Sequence, residues 1–194
     1  MRAAPVSHAF DSPDWLFEVK YDGLRAIVCY DGQSASLLAP GGRIYSGFPL
    51  LVRSIADGLG GVPAVLDGEI VHLDETGRPR YRSLVSRKRP QHFYAFDLLM
   101  LNHEDLRPLP LYERKGLLED IVGGGRLLRY ARHVPERGSA LFEAACSHDL
   151  EGIVAKWRHG PYAPSATSPG WLQVRNPHYS QAKRRRLSRR PTPA

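Results

Sequence analysis

Four apolar, strand-like runs in this chain carry charged residues that a buried strand normally lacks. Lys20, Asp22 and Arg25 follow Phe17 and Val19. Asp67 and Glu69 sit inside Ala64 to Val71, Asp97 lies within the aromatic run from Phe93 to Leu99, and Glu151 and Lys156 bracket Gly152 to Ala155. Charge in apolar surroundings is costly unless it is paired or put to use. One such group can be a structural ion pair. Several, each at a strand end or turn, are expected to share one cavity, so the fold has to bring distant strands together.

From Phe17 to Tyr21 apolar and polar residues alternate as in a half-buried strand, and Asp22-Gly23 breaks the pattern. A lysine beside a turn in apolar surroundings is a candidate nucleophile. At its ordinary pKa of ~10.4, roughly one amine in 2,500 is neutral at pH 7. Desolvation and a nearby cation favour the neutral form, and Arg25 is a candidate for that cation. Alone, the stretch reads first as a surface lysine at a hairpin.

The 194 residues suit one domain with a sizeable core and room for two lobes. With 42% hydrophobic and 24% charged residues the composition is that of a soluble globular chain. It has no bilayer-length apolar run and no signal peptide, so a cytoplasmic location and no membrane partner are expected. Cys29 and Cys146 make neither a metal-site spacing nor a disulfide framework, and the eight histidines show no ligand spacing. The net charge of +7 points to a polyanionic partner. The chain has 22 arginines but five lysines, which makes Lys20 and Lys156 more informative than in a lysine-rich chain.

Periodicity predicts strands over 15–21, 24–30 and 34–38, the last two joined by Asp31-Gly32. It predicts a helix over 48–59 with Leu50, Leu51, Ile55 and Leu59 on one face and Gly60-Gly61 at its end. A buried strand over 64–71, interrupted at Asp67-Gly68-Glu69, and an aromatic strand over 93–99 follow. Then come a helix over 111–122 closed by Gly123-Gly124-Gly125, a short strand over 127–134, and a helix over 139–146 capped by Ser139. Strands over 151–157 and 171–175 complete the pattern. Residues 1–14 are a lead-in without clear periodicity, 78–89 a strongly basic loop, 161–170 a loop, and 183–194 a basic, disordered tail. Without strict βαβ alternation, the fold class is α+β with mostly antiparallel sheets.

A lysine nucleophile, metal-binding carboxylates, cations for phosphate and an aromatic ring for a base are what nucleotidyl transfer needs. The order of the clusters resembles the covalent nucleotidyltransferase superfamily, most closely the ATP-dependent DNA ligases of the bacterial end-joining type. Lys20-Tyr21-Asp22-Gly23-Leu24-Arg25 is similar to that family's lysine motif, and Leu66-Asp67-Gly68-Glu69 to its third motif. Tyr94-Ala95-Phe96-Asp97 is similar to the aromatic motif that follows. Glu151 to Lys156 with Pro161-Tyr162 resembles the fourth motif, and Trp171-Leu172-Gln173-Val174-Arg175 falls where the fifth belongs. The resemblance runs from about Trp15 to Gln181.

The resemblance implies a two-lobed, ATP-grasp-like α+β domain over 1–182, with flanking helices, ATP between the lobes and the 183–194 tail outside it. It implies that Lys20 takes AMP from ATP, that Arg25 and Glu69 hold the ribose and sugar-phosphate side, and that Phe96 stacks on adenine. Glu69 and Glu151 would place Mg²⁺ or Mn²⁺, while Lys156 and Arg175 would lie near the phosphates. The AMP would pass to the 5′-phosphate of nicked double-stranded DNA in repair. Tyr94 and Trp157 read as packing residues.

This chain departs from the family pattern in three places. Ala39-Pro40-Gly41-Gly42 stands where the family often has Ser-Arg-Asn-Gly, with Arg43 adjacent. Gln173 and Arg175 stand where the fifth motif has lysines; losing one charge contact to a transition state costs about 2.7–4 kcal/mol. The sequence stops soon after the fifth motif, without an OB-fold domain, which makes a separate OB-fold or repair protein a candidate partner. Two other readings stay open: a weakened or silent DNA-binding paralogue, and another covalent nucleotidyltransferase such as an RNA ligase or capping enzyme.

Overall fold

Period-two patterning along the chain builds two sheets. The computed structural model describes residues 1–86, 91–122, 126–163 and 168–182. Its strands are β1 (Ala3–Pro5), β2 (Asp11–Val19), β3 (Leu24–Tyr30), β4 (Ala35–Leu38), β5 (Ala64–Val71), β6 (His92–Leu101), β7 (Glu104–Asp105), β8 (Leu128–Tyr130), β9 (His133–Arg137), β10 (Gly152–Trp157) and β11 (Ser168–Arg175). The helices are α1 (Pro49–Leu59), α2 (Tyr81–Ser86), α3 (Leu111–Ile121) and α4 (Gly138–Ser147). One sheet has five strands in the order β1-β11-β10-β2-β9; the other has six, β4-β3-β5-β6-β7 with β8 also on β6. Pairing is antiparallel except for β1 with β11 and β6 with β8. The fold is α+β, as expected.

Each sheet turns one face to helices. In the six-stranded sheet Ala26, Val28, Leu66, Ile70, Phe93 and Ala95 are fully buried in one core with Leu51 and Ile55 of α1 and Leu118 of α3. In the five-stranded sheet Phe17, Ile153, Ala155 and Val174 pack with Ala145, Leu141 and Phe142 of α4. Alternation sends the intervening polar residues to the opposite faces, where the clusters meet.

Several elements differ from the sequence expectation. In α1 Leu51, Ile55 and Leu59 are buried, but Leu50 is 73% exposed. It sits about 100° around the helix from Leu51, outside the stripe spaced by four. Asp67-Gly68-Glu69 does not interrupt β5, which pairs with β6 through two register shifts, at Val65/Leu66 and Asp67/Gly68. A Cβ on Gly68 would lie 2.3 Å from the Phe93 ring, so the glycine admits that ring. The expected 127–134 strand splits: β8 joins one sheet, and β9 pairs with β2 in the other. Ala131, buried at the crossing, spends its N–H on the Ala95 carbonyl at 2.8 Å and its own carbonyl on Lys115 Nζ at 2.7 Å.

Ser139 does not cap α4, which starts at Gly138; Asp11 Oδ1 accepts from the Ser139 N–H at 2.8 Å instead. The lead-in is also structured. It supplies β1 and extends β2 back to Asp11, and backbone pairing of this kind leaves little side-chain periodicity to read. Part of the basic 78–89 stretch is helical in α2. Residues 87–90, the glycines at 123–125, part of the 161–170 loop and the 183–194 tail lie outside the described residues. Among the described residues no helix is long and apolar enough to cross a membrane.

Candidate active site

Lys20 is the first residue after β2, where the chain leaves the five-stranded sheet for β3 of the other. Its backbone N–H bonds to the Gly152 carbonyl at 2.9 Å. The turn that follows is tight, because a Cβ on Gly23 would lie 2.2 Å from the Ile70 carbonyl oxygen. Buried Asp22 accepts from the Tyr179 hydroxyl at 2.8 Å, which anchors the turn to the segment after β11. Lys20 Nζ then stands 3.1 Å from Glu151 Oε2, on the residue before β10.

A cleft of about 430 Å³ opens between the polar faces of the two sheets. From the six-stranded sheet it is lined by Arg25, Glu69 and Phe96. From the five-stranded sheet Glu18, Lys156, Trp171, Gln173 and Arg175 line it, and Lys20 stands at the crossing. Arg25 and Glu69 are direct cross-strand partners on β3 and β5. The Arg25 guanidinium grips Asp67 two-pronged, at 3.0 Å from Nε and 2.5 Å from Nη2, and its Nη1 donates to the Met1 carbonyl. Tyr162 completes the corner by donating its hydroxyl to Asp67 at 2.9 Å. Burial works against the Arg25 charge, yet Asp67 raises its pKa above the ordinary arginine value. The cation expected to act on Lys20 is thus committed to Asp67, and the contact of Lys20 is with Glu151.

Lys156 is buried between aromatic rings, with Nζ 4.2 Å from the Phe96 ring centre and 4.3 Å from that of Trp171. The two rings meet edge-on at 5.7 Å. Nζ also pairs with Glu18 Oε2 at 2.7 Å, and Lys115 holds Glu18 Oε1 at 2.8 Å. Burial pushes the Glu18 carboxyl up, but the two ammonium groups outweigh it and hold the pKa below the usual carboxylate value. Burial lowers the pKa of Lys156, and Glu18 offsets only part of that shift. Arg175 is exposed at the rim, its Nε 3.3 Å from Gln173 Oε1, while Gln173 Nε2 donates to the Ala3 carbonyl at 2.9 Å.

All seven site residues expected from sequence therefore meet here: six line the cleft, and Glu151 reaches it through Lys20. Pro40 and Arg43 are elsewhere. Pro40 caps an exposed turn closed by Gly42 N–H on the Ala39 carbonyl, and Arg43 packs toward Tyr45. Tyr94 stacks on Tyr21 at 4.3 Å, while Trp157, read as packing, is 42% exposed. Sequence reading missed Arg2 and Glu18 as cleft residues. The alternation of β2 was the one available signal for Glu18, which must face away from Phe17. A larger hollow of about 890 Å³ beside α1 is lined by Arg53, Arg126 and Arg129, but among the described residues it holds no lysine and one carboxylate, Asp57. The converging charges single out the smaller cleft.

The family model for the ATP dependent DNA ligase domain matches residues 2–175. The multifunctional non-homologous end joining protein LigD of Mycolicibacterium smegmatis is 31% identical over 166 residues, which are 84% of this chain and 22% of that protein. A DNA ligase of Natronomonas pharaonis is 36% identical over 172 residues, 80% of this chain and 31% of that one. The chain thus spans about a fifth to a third of the length of these relatives. Among solved structures, a mycobacterial DNA ligase D complexed with ATP and MES superposes with a TM-score of 0.78 at 29% identity, covering 89% of this chain and 60% of that one. With the family model covering nearly its whole length, this chain belongs to the ATP-dependent DNA ligase domain family.

Proposed function

We propose that this chain is the adenylating domain of an ATP-dependent DNA ligase, over residues 1–182, and that Lys20 is its nucleophile. The observation that carries the reading is the meeting of Lys20 and Glu151 at 3.1 Å beside a cleft that combines cations with the Phe96 and Trp171 rings. Its volume suits a small-molecule ligand. In this reading Lys20 Nζ attacks the α-phosphorus of ATP. An N–P bond forms, the bond to the bridging oxygen breaks, and pyrophosphate leaves. Glu151 is within hydrogen-bond reach to take the ammonium proton. An oxygen of the 5′-phosphate at a DNA nick then displaces Lys20 from the AMP, and attack by the 3′-hydroxyl closes the backbone and releases AMP. Phe96 and Trp171 offer a ring surface for adenine, and Arg25 and Glu69 a polar edge for the ribose.

Among the described residues no three His, Cys, Asp or Glu side chains are grouped to cage a metal. Glu69 and Glu151 supply carboxylates only, which fits Mg²⁺ or Mn²⁺ shared with substrate phosphates rather than an all-protein site. Such an ion would supply positive charge to the phosphates. The test is incubation with α-labelled ATP and either Mg²⁺ or Mn²⁺, a denaturing gel, then a chase with nicked duplex. A labelled protein band, absent in Lys20→Ala, that passes its label to the DNA supports the reading; a folded protein that takes no label with either metal overturns it. A silent DNA-binding paralogue is the second reading, favoured by Gln173, whose amide is spent on Ala3. It requires duplex binding that weakens steeply with salt and no label.

A further inference from the structure

The cations around the cleft are unequally committed. Arg25 is held by Asp67, Lys156 by Glu18 and Lys20 by Glu151. Two arginines lining the cleft make no ion pair among the described residues: Arg175, which donates to the neutral Gln173 amide, and Arg2. Arg2 stands immediately before β1, which runs parallel along β11, and the Gln173 amide fastens the next residue, Ala3. Exposed Arg2 thus lines the cleft from the start of β11, while Gln173 and Arg175 line it from the far end of that strand. Gln173 is a neutral residue at a cleft position, and a polyphosphate in the cleft meets exposed positive charge from Arg2 and Arg175 instead.

We propose that Arg2 is a phosphate-binding residue of the cleft, acting with Arg175 on the phosphates of the bound nucleotide. This rests on the reading of the cleft as an ATP site. A guanidinium without a carboxylate partner has no ion pair to break before it takes a phosphate oxygen, and its planar fork can take two. The three other cations lining the cleft, Lys20, Arg25 and Lys156, would first have to loosen a carboxylate.

The test is calorimetric binding of ATP and of adenosine to the wild type, Arg2→Ala, Arg2→Lys and, as a surface control on α1, Arg53→Ala. Arg2→Ala is expected to weaken ATP binding about 10- to 100-fold, the range for a hydrogen bond to a charged group, and to leave adenosine binding unchanged. Arg2→Lys should lose less, Arg53→Ala nothing. Adding Gln173→Lys to Arg2→Ala should recover ATP binding, because it restores charge one strand away. Arg2→Ala binding ATP as the wild type does would overturn the proposal. So would equal losses for ATP and adenosine, which mark a purely structural role for β1. A wild type that binds ATP but forms no lysyl adduct defeats the adenylation reading alone, since binding still decides the role of Arg2. A wild type that binds neither ligand defeats both.

Discussion

Glu18 sets the charge balance of the cleft wall, with Lys115 on one oxygen and Lys156 on the other. Its folded-state pKa lies below the ordinary value of 4.5, so folding favours the ionised form. That stabilisation is complete above the unfolded value and drains away as pH falls through the folded one. Urea titrations should show stability falling as pH drops below 4.5. Glu18→Gln should flatten that acid slope and cost about 3–5 kcal/mol at pH 7, because two buried ammonium groups lose their counter-charge. An acid slope unchanged in Glu18→Gln would contradict this. The sequence reveals which way Glu18 faces, since Phe17 beside it is apolar. It does not reveal the partner, because Lys115 lies 97 residues away and reads as one more charge on an amphipathic helix.

At the scale of elements, α3 ties the two sheets together through neighbouring residues. Arg114 holds Asp97 of β6 at 2.7 and 2.9 Å, with both side chains fully buried, and Lys115 holds Glu18 of β2. Arg114→Met would strand Asp97 in the core and should cost about 3–5 kcal/mol in denaturant melts; a loss below 1 kcal/mol would mean the pair is not a clamp. Gly152 opens β10 at φ 139°, and a Cβ there would lie 2.0 Å from the Val174 carbonyl oxygen. Gly152→Ala should therefore destabilise by about 1–3 kcal/mol and disturb the Lys20–Gly152 backbone bond, visible as a changed amide shift at Lys20. The α3 helix was legible from its spacing. Its clamp was not, since period alone cannot tell a buried arginine from a solvated one. The β8–β9 split was hidden for a similar reason: one apolar run serves two sheets, and the break is set by Ala131's partners.

Across the whole molecule, residues from both sheets form one cleft, so a ligand there should couple the lobes. ATP at about a hundred times its Kd should stabilise by about 2.7 kcal/mol, raising Tm by roughly 5–10 °C in a single transition. Two transitions, with only one shifted, would show that the lobes unfold separately. The cleft was legible because each site residue sits on a strand or directly at its end, where alternation along the strand fixes the face, from Lys20 after β2 to Arg175 at the end of β11. The contribution of β1 was not, since three residues paired through their backbone carry no side-chain pattern. The most direct test of the central claim is mass-spectrometric mapping of the protein after incubation with ATP and Mg²⁺. One AMP adduct is expected, on the peptide containing Lys20, acid-labile and absent in Lys20→Arg. An adduct on Lys156 or Lys115 instead, or none on the folded wild type, would contradict it.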